Sequence, residues 1–95
     1  MKRLEITRAA EVDLRGVWLY THETYGTQQA NQYVGAIRQR IDGLLTGRTA
    51  SRPAFEVRPG LRRTLVGRHV VFFREDDNAV TVLRVLHQRM DVGRV

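Results

Sequence analysis

The first apolar positions, Leu4 and Ile6, alternate with polar neighbours, the period-two pattern of a short, half-buried strand. The period then changes. From Arg8 onward Ala10, Leu14, Val17, Trp18, Thr21 and Tyr25 recur at steps of three and four, which predicts a helix with one apolar stripe. Thr7 stands where an N-cap is needed, and Gly26 where a helix-terminating glycine is expected. A second helix, capped by Thr27 and closed by Gly47, places Ala30, Tyr33, Val34, Ile37, Ile41, Leu44 and Leu45 on one face. The two-residue link between them requires an antiparallel hairpin of helices. Gly35 and Gly43 each weaken the second helix by about 1 kcal/mol relative to alanine, which close packing against a neighbour would explain.

Residues 46–60 carry both prolines and read as a connecting loop. Beyond them the period returns to two. Leu61 to Val66 alternates, with Leu61, Arg63 and Leu65 on one face and Arg62, Thr64 and Val66 on the other. His69 to Glu75 is apolar on both faces in its middle, as a central strand is, and Ala79 to His87 is apolar and β-branched throughout. Gly67-Arg68 and Asp76-Asp77-Asn78 supply the turns of two successive hairpins. The expected architecture is α+β: an N-terminal strand, then a two-helix hairpin packed on a small antiparallel sheet, with the first strand joining the sheet edge.

At 95 residues the chain is a single domain, 1–95. Absence of cysteine excludes disulfides, thiolate metal sites and cysteine nucleophiles. No apolar run reaches the roughly 20 residues of a membrane span, and the start, Met1 to Glu5, lacks the apolar stretch of a signal peptide, so a cytoplasmic protein is expected. Charge changes the picture more. The net charge is +6, with a single lysine, Lys2, among sixteen basic residues. Residues 48–95 hold ten arginines against five acids, whereas residues 1–47 hold six basic and five acidic groups. Arginine suits bidentate contacts to carboxylate or phosphate, so the second half is expected to face an acidic partner.

The residues offer little catalytic chemistry. His22, His69 and His87 lie at no metal-ligand spacing from one another or from paired carboxylates, and no cofactor is expected. His22 suits a helix C-terminus, and His69 a packed or hydrogen-bonded role. Ser51, the only serine, precedes Arg52 and Pro53 in the loop with no base in view. His87 with Arg63, Arg68 and Arg89 could in principle serve a metal-free ribonuclease, or His87 can simply end the last strand. Arg84 interrupts an apolar strand and is expected to reach the surface or to pair with Glu75 or Asp91. Trp18 is expected in the core or as a binding anchor.

The stretches AEVDLRGVWLYTHETYG, QQANQYVGAI, RPGLRRTLVGRHVVFFRE and VTVLRVLHQRMD closely resemble the ParE toxins of bacterial toxin–antitoxin systems, within the RelE/ParE superfamily. The resemblance implies a toxin that antagonises DNA gyrase by protein binding, not an enzyme, held silent in a hetero-oligomer by a ParD-like antitoxin. The acidic, amphipathic antitoxin tail would lie in a groove between helices and sheet, on Leu14, Trp18, Arg62, Arg63, Leu65 and Arg68. The segment His87, Arg89, Met90 and Asp91 would contact the target. No catalytic residue, membrane contact or direct nucleic-acid contact is implied. The related RelE branch cleaves messenger RNA on the ribosome with basic and aromatic residues, and this chain departs from it: Gln88 follows His87, and the tail contains no tyrosine. Thr46-Gly47-Arg48 also stands where a His-Pro pair is common in ParE. Ribosome-dependent cleavage is the alternative function. A basic RNA-binding module is a third, disfavoured by the scarcity of exposed sheet aromatics.

Overall fold

A computed structural model describes residues 2–90, 93 and 95. The elements follow in the order β1 (Arg3–Ile6), α1 (Arg8–Tyr25), α2 (Thr27–Thr46), β2 (Arg52–Pro53), β3 (Arg62–Val66), β4 (His69–Glu75) and β5 (Ala79–His87). They build one five-stranded sheet in the order β1-β5-β4-β3-β2 with two helices on one face. The α+β architecture is the one the sequence predicts, with two differences. The first strand joins the edge in parallel to β5, from Arg3↔Ala79 to Ile6↔Val82, so the sheet is mixed. A four-residue alternation fixes which side is buried but says nothing about strand direction. The loop also contains β2, two residues paired with Arg62 and Arg63.

Local chemistry sets the helix ends. Thr7 Oγ1 accepts from the Ala10 N–H at 3.1 Å, the expected N-cap. The link between the helices is Gly26 alone, at φ 96°, which closes α1 through its N–H to His22 O and opens α2. Thr27 is therefore not the cap. It is the first residue of α2, and its hydroxyl lies 3.0 Å from His22 Nδ1. Gly43 bears out the close-packing expectation, because a Cβ there would overlap Thr49 Oγ1. Gly35 meets nothing within 4 Å and does not.

The main core lies between helices and sheet: Leu14, Val17, Ile37 and Ile41 against Val71, Phe73, Val80, Val82 and Val85. Tyr25, expected on the buried stripe, is 71% exposed because α1 ends beyond the sheet's cover. The opposite sheet face carries a smaller core, where Ala54 and Leu61 of the loop cover Phe72 and Leu86. Strand β4 is thus buried on both sides.

One irregularity decides how β5 ends. Phe73 pairs with Val82 but Phe72 pairs with Arg84, so Leu83 is an extra residue, a β-bulge. Val82 and Val85 both face the helices as a result, while Leu83 and Leu86 pack on the other side. Helix α1 holds the bulge at two points. Thr7 Oγ1 donates to Leu83 O at 2.8 Å. Asp13 accepts three hydrogen bonds: Oδ2 from Arg84 Nε at 2.7 Å and from Val85 N at 2.9 Å, and Oδ1 from Arg84 Nη2 at 2.9 Å. Arg84 therefore pairs with Asp13 rather than with Glu75, which pairs with Lys2, and Asp91 lies outside the described residues. The hydrogen bonds that Arg84 donates to Asp13 raise its pKa further above its ordinary value, against a smaller opposing effect of burial.

Asp13→Ala would remove the acceptor shared by Arg84 Nε, Arg84 Nη2 and the Val85 N–H, at a cost of about 2–4 kcal/mol. Urea unfolding of the variant at neutral pH checks this, and a difference below about 1 kcal/mol would place the bulge's support elsewhere.

Candidate functional site

Two surfaces stand out. The first is a pocket of about 570 Å³ at the β2–β3 edge, lined by Arg40, Arg52, Arg63, Leu65, Val70 and Gln88 among others. Leu65 is 54% exposed and sits beside Val70 across the β3–β4 ladder, giving the pocket an apolar floor. Arg63 pairs with Glu56 at 3.1 Å, yet its buried Nε has no hydrogen-bond partner among the described residues. Arg62, on the opposite face, donates to Ser51 Oγ at 3.1 Å and to Ser51 O at 3.3 Å.

The expected antitoxin groove is not assembled as one surface. Arg63 and Leu65 meet in this pocket, but Leu14 is 1% exposed inside the core and cannot touch a partner. Trp18 is half-buried at the helix–helix junction, where it stacks on His22 at 4.8 Å and donates to Asn31 Oδ1 at 2.8 Å. A helical stripe is read from spacing alone, and spacing does not separate a core position from a groove floor. Arg68 occupies the β3–β4 turn.

The second surface is a cleft of about 510 Å³ between α1 and the end of β5. Its walls include Val12, Gly16, Tyr20, His69, His87 and Met90, with Asp13 at its base. Tyr33 of α2 organises the polar end. Its hydroxyl accepts from the Arg68 N–H at 3.1 Å and lies 2.7 Å from His69 Nδ1. Gly67, at φ 57°, lets the turn pass beneath that ring, where a Cβ would come within 2.8 Å of it. His69 meets His87 edge to face at 5.3 Å, and His87 Nδ1 accepts from the Arg89 N–H at 3.1 Å. Burial, reinforced by the positive charge of His87, holds the His69 pKa below its ordinary value of 6.5. The hydrogen-bonded role expected for His69 is the one it has.

Of the predicted target segment, His87 and Met90 line the cleft. Arg89 is exposed beside them, and Asp91 lies outside the described residues. Sequence reasoning missed Asp13, Gly16, Tyr20 and Tyr33. Tyr33 carried no signal beyond its apolar spacing, and Asp13 none beyond its place in a family motif. Among the described residues, no group of three or more His, Cys, Asp or Glu could hold a metal, and no helix is long and apolar enough to cross a membrane.

The sequence profile of the family described as ParE toxin of type II toxin-antitoxin system, parDE, matches residues 4–92. The chain belongs to the ParE toxin family. It is a ParE-type toxin of a type II toxin–antitoxin system. Toxin ParE1 of Mycobacterium tuberculosis is 37% identical over 93 residues, covering 97% of this chain and 95% of that protein. Toxin ParE1 of Caulobacter vibrioides is 34% identical over 91 residues, 96% and 94% of the two chains. The fold is similar to the chromosomal ParDE toxin–antitoxin system of P. aeruginosa, with a TM-score of 0.79 and 24% identity over 92% of this chain and 96% of that one. It is also similar to YafQ of E. coli, at a TM-score of 0.66 and 10% identity over 93% and 94%.

Burial of His69, with His87 beside it, is expected to make the fold sensitive to acid. Because the folded pKa of His69 is lowered, the unfolded chain binds a proton at this ring more readily than the folded one. The stability it contributes is complete above pH 6.5 and is lost as pH falls through the folded value. Denaturant midpoints between pH 7.5 and about 5 are expected to fall, and to fall less steeply in His69→Gln.

Proposed function

We propose that this ParE toxin inhibits DNA gyrase in the cytoplasm by direct protein binding, without catalysis, and is neutralised in a hetero-oligomer by a ParD-like antitoxin with an acidic segment. The arginine pocket carries the proposal. Arg40, Arg52 and Arg63 converge over the Leu65–Val70 floor, a fit for a segment that alternates carboxylates with apolar side chains. Strand β2 pairs only with Arg62 and Arg63, so an extended segment can lie along the rest of the β3 edge. The Arg63 guanidinium already holds the Glu56 carboxylate at 3.1 Å, the kind of contact an incoming carboxylate would make. Opposite charge across this edge acts chiefly on the association rate.

The second reading, ribosome-dependent cleavage of messenger RNA, draws on the Tyr33–His69–His87 ring cluster, where acid–base groups converge. Against it, His69 Nδ1 faces the Tyr33 hydroxyl and His87 Nδ1 accepts from the Arg89 N–H, so one nitrogen of each ring is already engaged.

Arg52→Glu combined with Arg63→Glu is expected to weaken antitoxin binding about tenfold or more and to flatten its salt dependence. Purified toxin is expected to block gyrase supercoiling and to leave messenger RNA intact with or without ribosomes. Cleavage that vanishes in His87→Ala would establish the second reading, and unchanged antitoxin affinity in the double variant would move the antitoxin to another face.

A further inference from the structure

Gly16 lies in the middle of α1, where glycine weakens a helix relative to alanine. Nothing in the chain accounts for it: its φ is not in the left-handed region, and a Cβ built there meets no atom within 4 Å. One turn to either side stand Val12 and Tyr20, 53% and 69% exposed, and across the cleft Met90 is 45% exposed. Exposed apolar side chains flank an empty notch in the helix surface. Asp13 in the cleft wall is neutralised by its ion pair with Arg84, so it adds no net charge to the cleft. At its polar end stand Arg68 and Arg89, next in sequence to His69 and to Met90. Neither guanidinium has a hydrogen-bond or ion-pair partner among the described residues.

We propose that this cleft is where ParE grips its protein target, with an apolar target side chain seated in the Gly16 notch and a neighbouring target carboxylate held by Arg68 or Arg89. The inference rests on the binding-toxin reading above and adds the surface and the chemistry that fits it. The target, not the antitoxin, is the occupant. The antitoxin's acidic segment is matched by the three arginines at the β2–β3 edge, whereas the cleft walls are mainly apolar with cations at one end only. The two surfaces adjoin at the end of β5, where His87 lines the cleft and Gln88 the pocket. A bulky antitoxin seated in the pocket therefore stands next to the target surface and can exclude the target from it.

The test fills the notch. Gly16→Leu replaces a poor helix former with a good one in open space, so its melting temperature should equal or exceed that of the wild type. Growth arrest on induction should disappear, and gyrase inhibition should weaken by about tenfold or more. Antitoxin affinity should stay within about threefold of the wild type. A variant as toxic as the wild type overturns the proposal, and so does one that keeps toxicity while losing antitoxin. If Gly16→Leu melts lower, Val12→Glu at its exposed position carries the same test with the same outcomes. If the wild-type toxin arrests growth but leaves gyrase supercoiling untouched, the gyrase reading fails. Loss of that arrest in Gly16→Leu would then still support the cleft.

Discussion

Three hydrogen bonds converge on the carboxylate of Asp13, and the placement of every candidate binding residue after Arg84 depends on them. A bulge leaves a backbone N–H out of the ladder and tends to relax into regular pairing unless something holds it. Here α1 holds it from above. Asp13 takes the Val85 N–H and the Nε–Nη2 edge of the Arg84 guanidinium, and Thr7 donates to the Leu83 carbonyl. The bonds to Asp13 are charge-assisted and partly shielded, with its side chain only 12% exposed, so they hold the bulge where a surface ion pair would add little.

The consequence runs through the alternation of the strand. With Leu83 inserted, Val85 and His87 turn toward the helices and Leu86 turns away. Removing the insertion would reverse all three, putting His87 on the loop-covered face and an apolar residue beside Tyr33. The bulge thus brings His87 to His69, gives the cleft its polar end, and leaves Gln88 to the arginine pocket on the other side.

Much of this fold is legible in the residues. The helix stripes, the Thr7 cap and the β3 and β4 faces follow from period, and β5 was placed from Ala79 to His87 as found. The turn at Asp76 follows from residue type, its carboxylate accepting from the Asn78 and Ala79 N–H groups. What was not legible depends on contacts between distant residues. Asp13 and Arg84 are 71 positions apart, and no local pattern links them. A bulge is invisible where every neighbour is apolar, as from Val80 to Leu86 apart from Thr81 and Arg84. The arginine excess raised the expectation of an acidic partner, but it could not say that Arg62 faces Ser51 while Arg63 faces the pocket. Leu14 and Trp18 show the same limit from the apolar side.

The central claim is that Asp13, through the bulge, places His87 against His69. NMR titration of the two imidazoles in the wild type and in folded Asp13→Ala tests it most directly. In the wild type His69 should titrate below 6.5. In Asp13→Ala it should move part of the way back, since His87 withdraws while burial by Tyr33 persists. A folded Asp13→Ala whose His69 titrates as in the wild type would contradict the account, because His87 would then hold its place without the clamp.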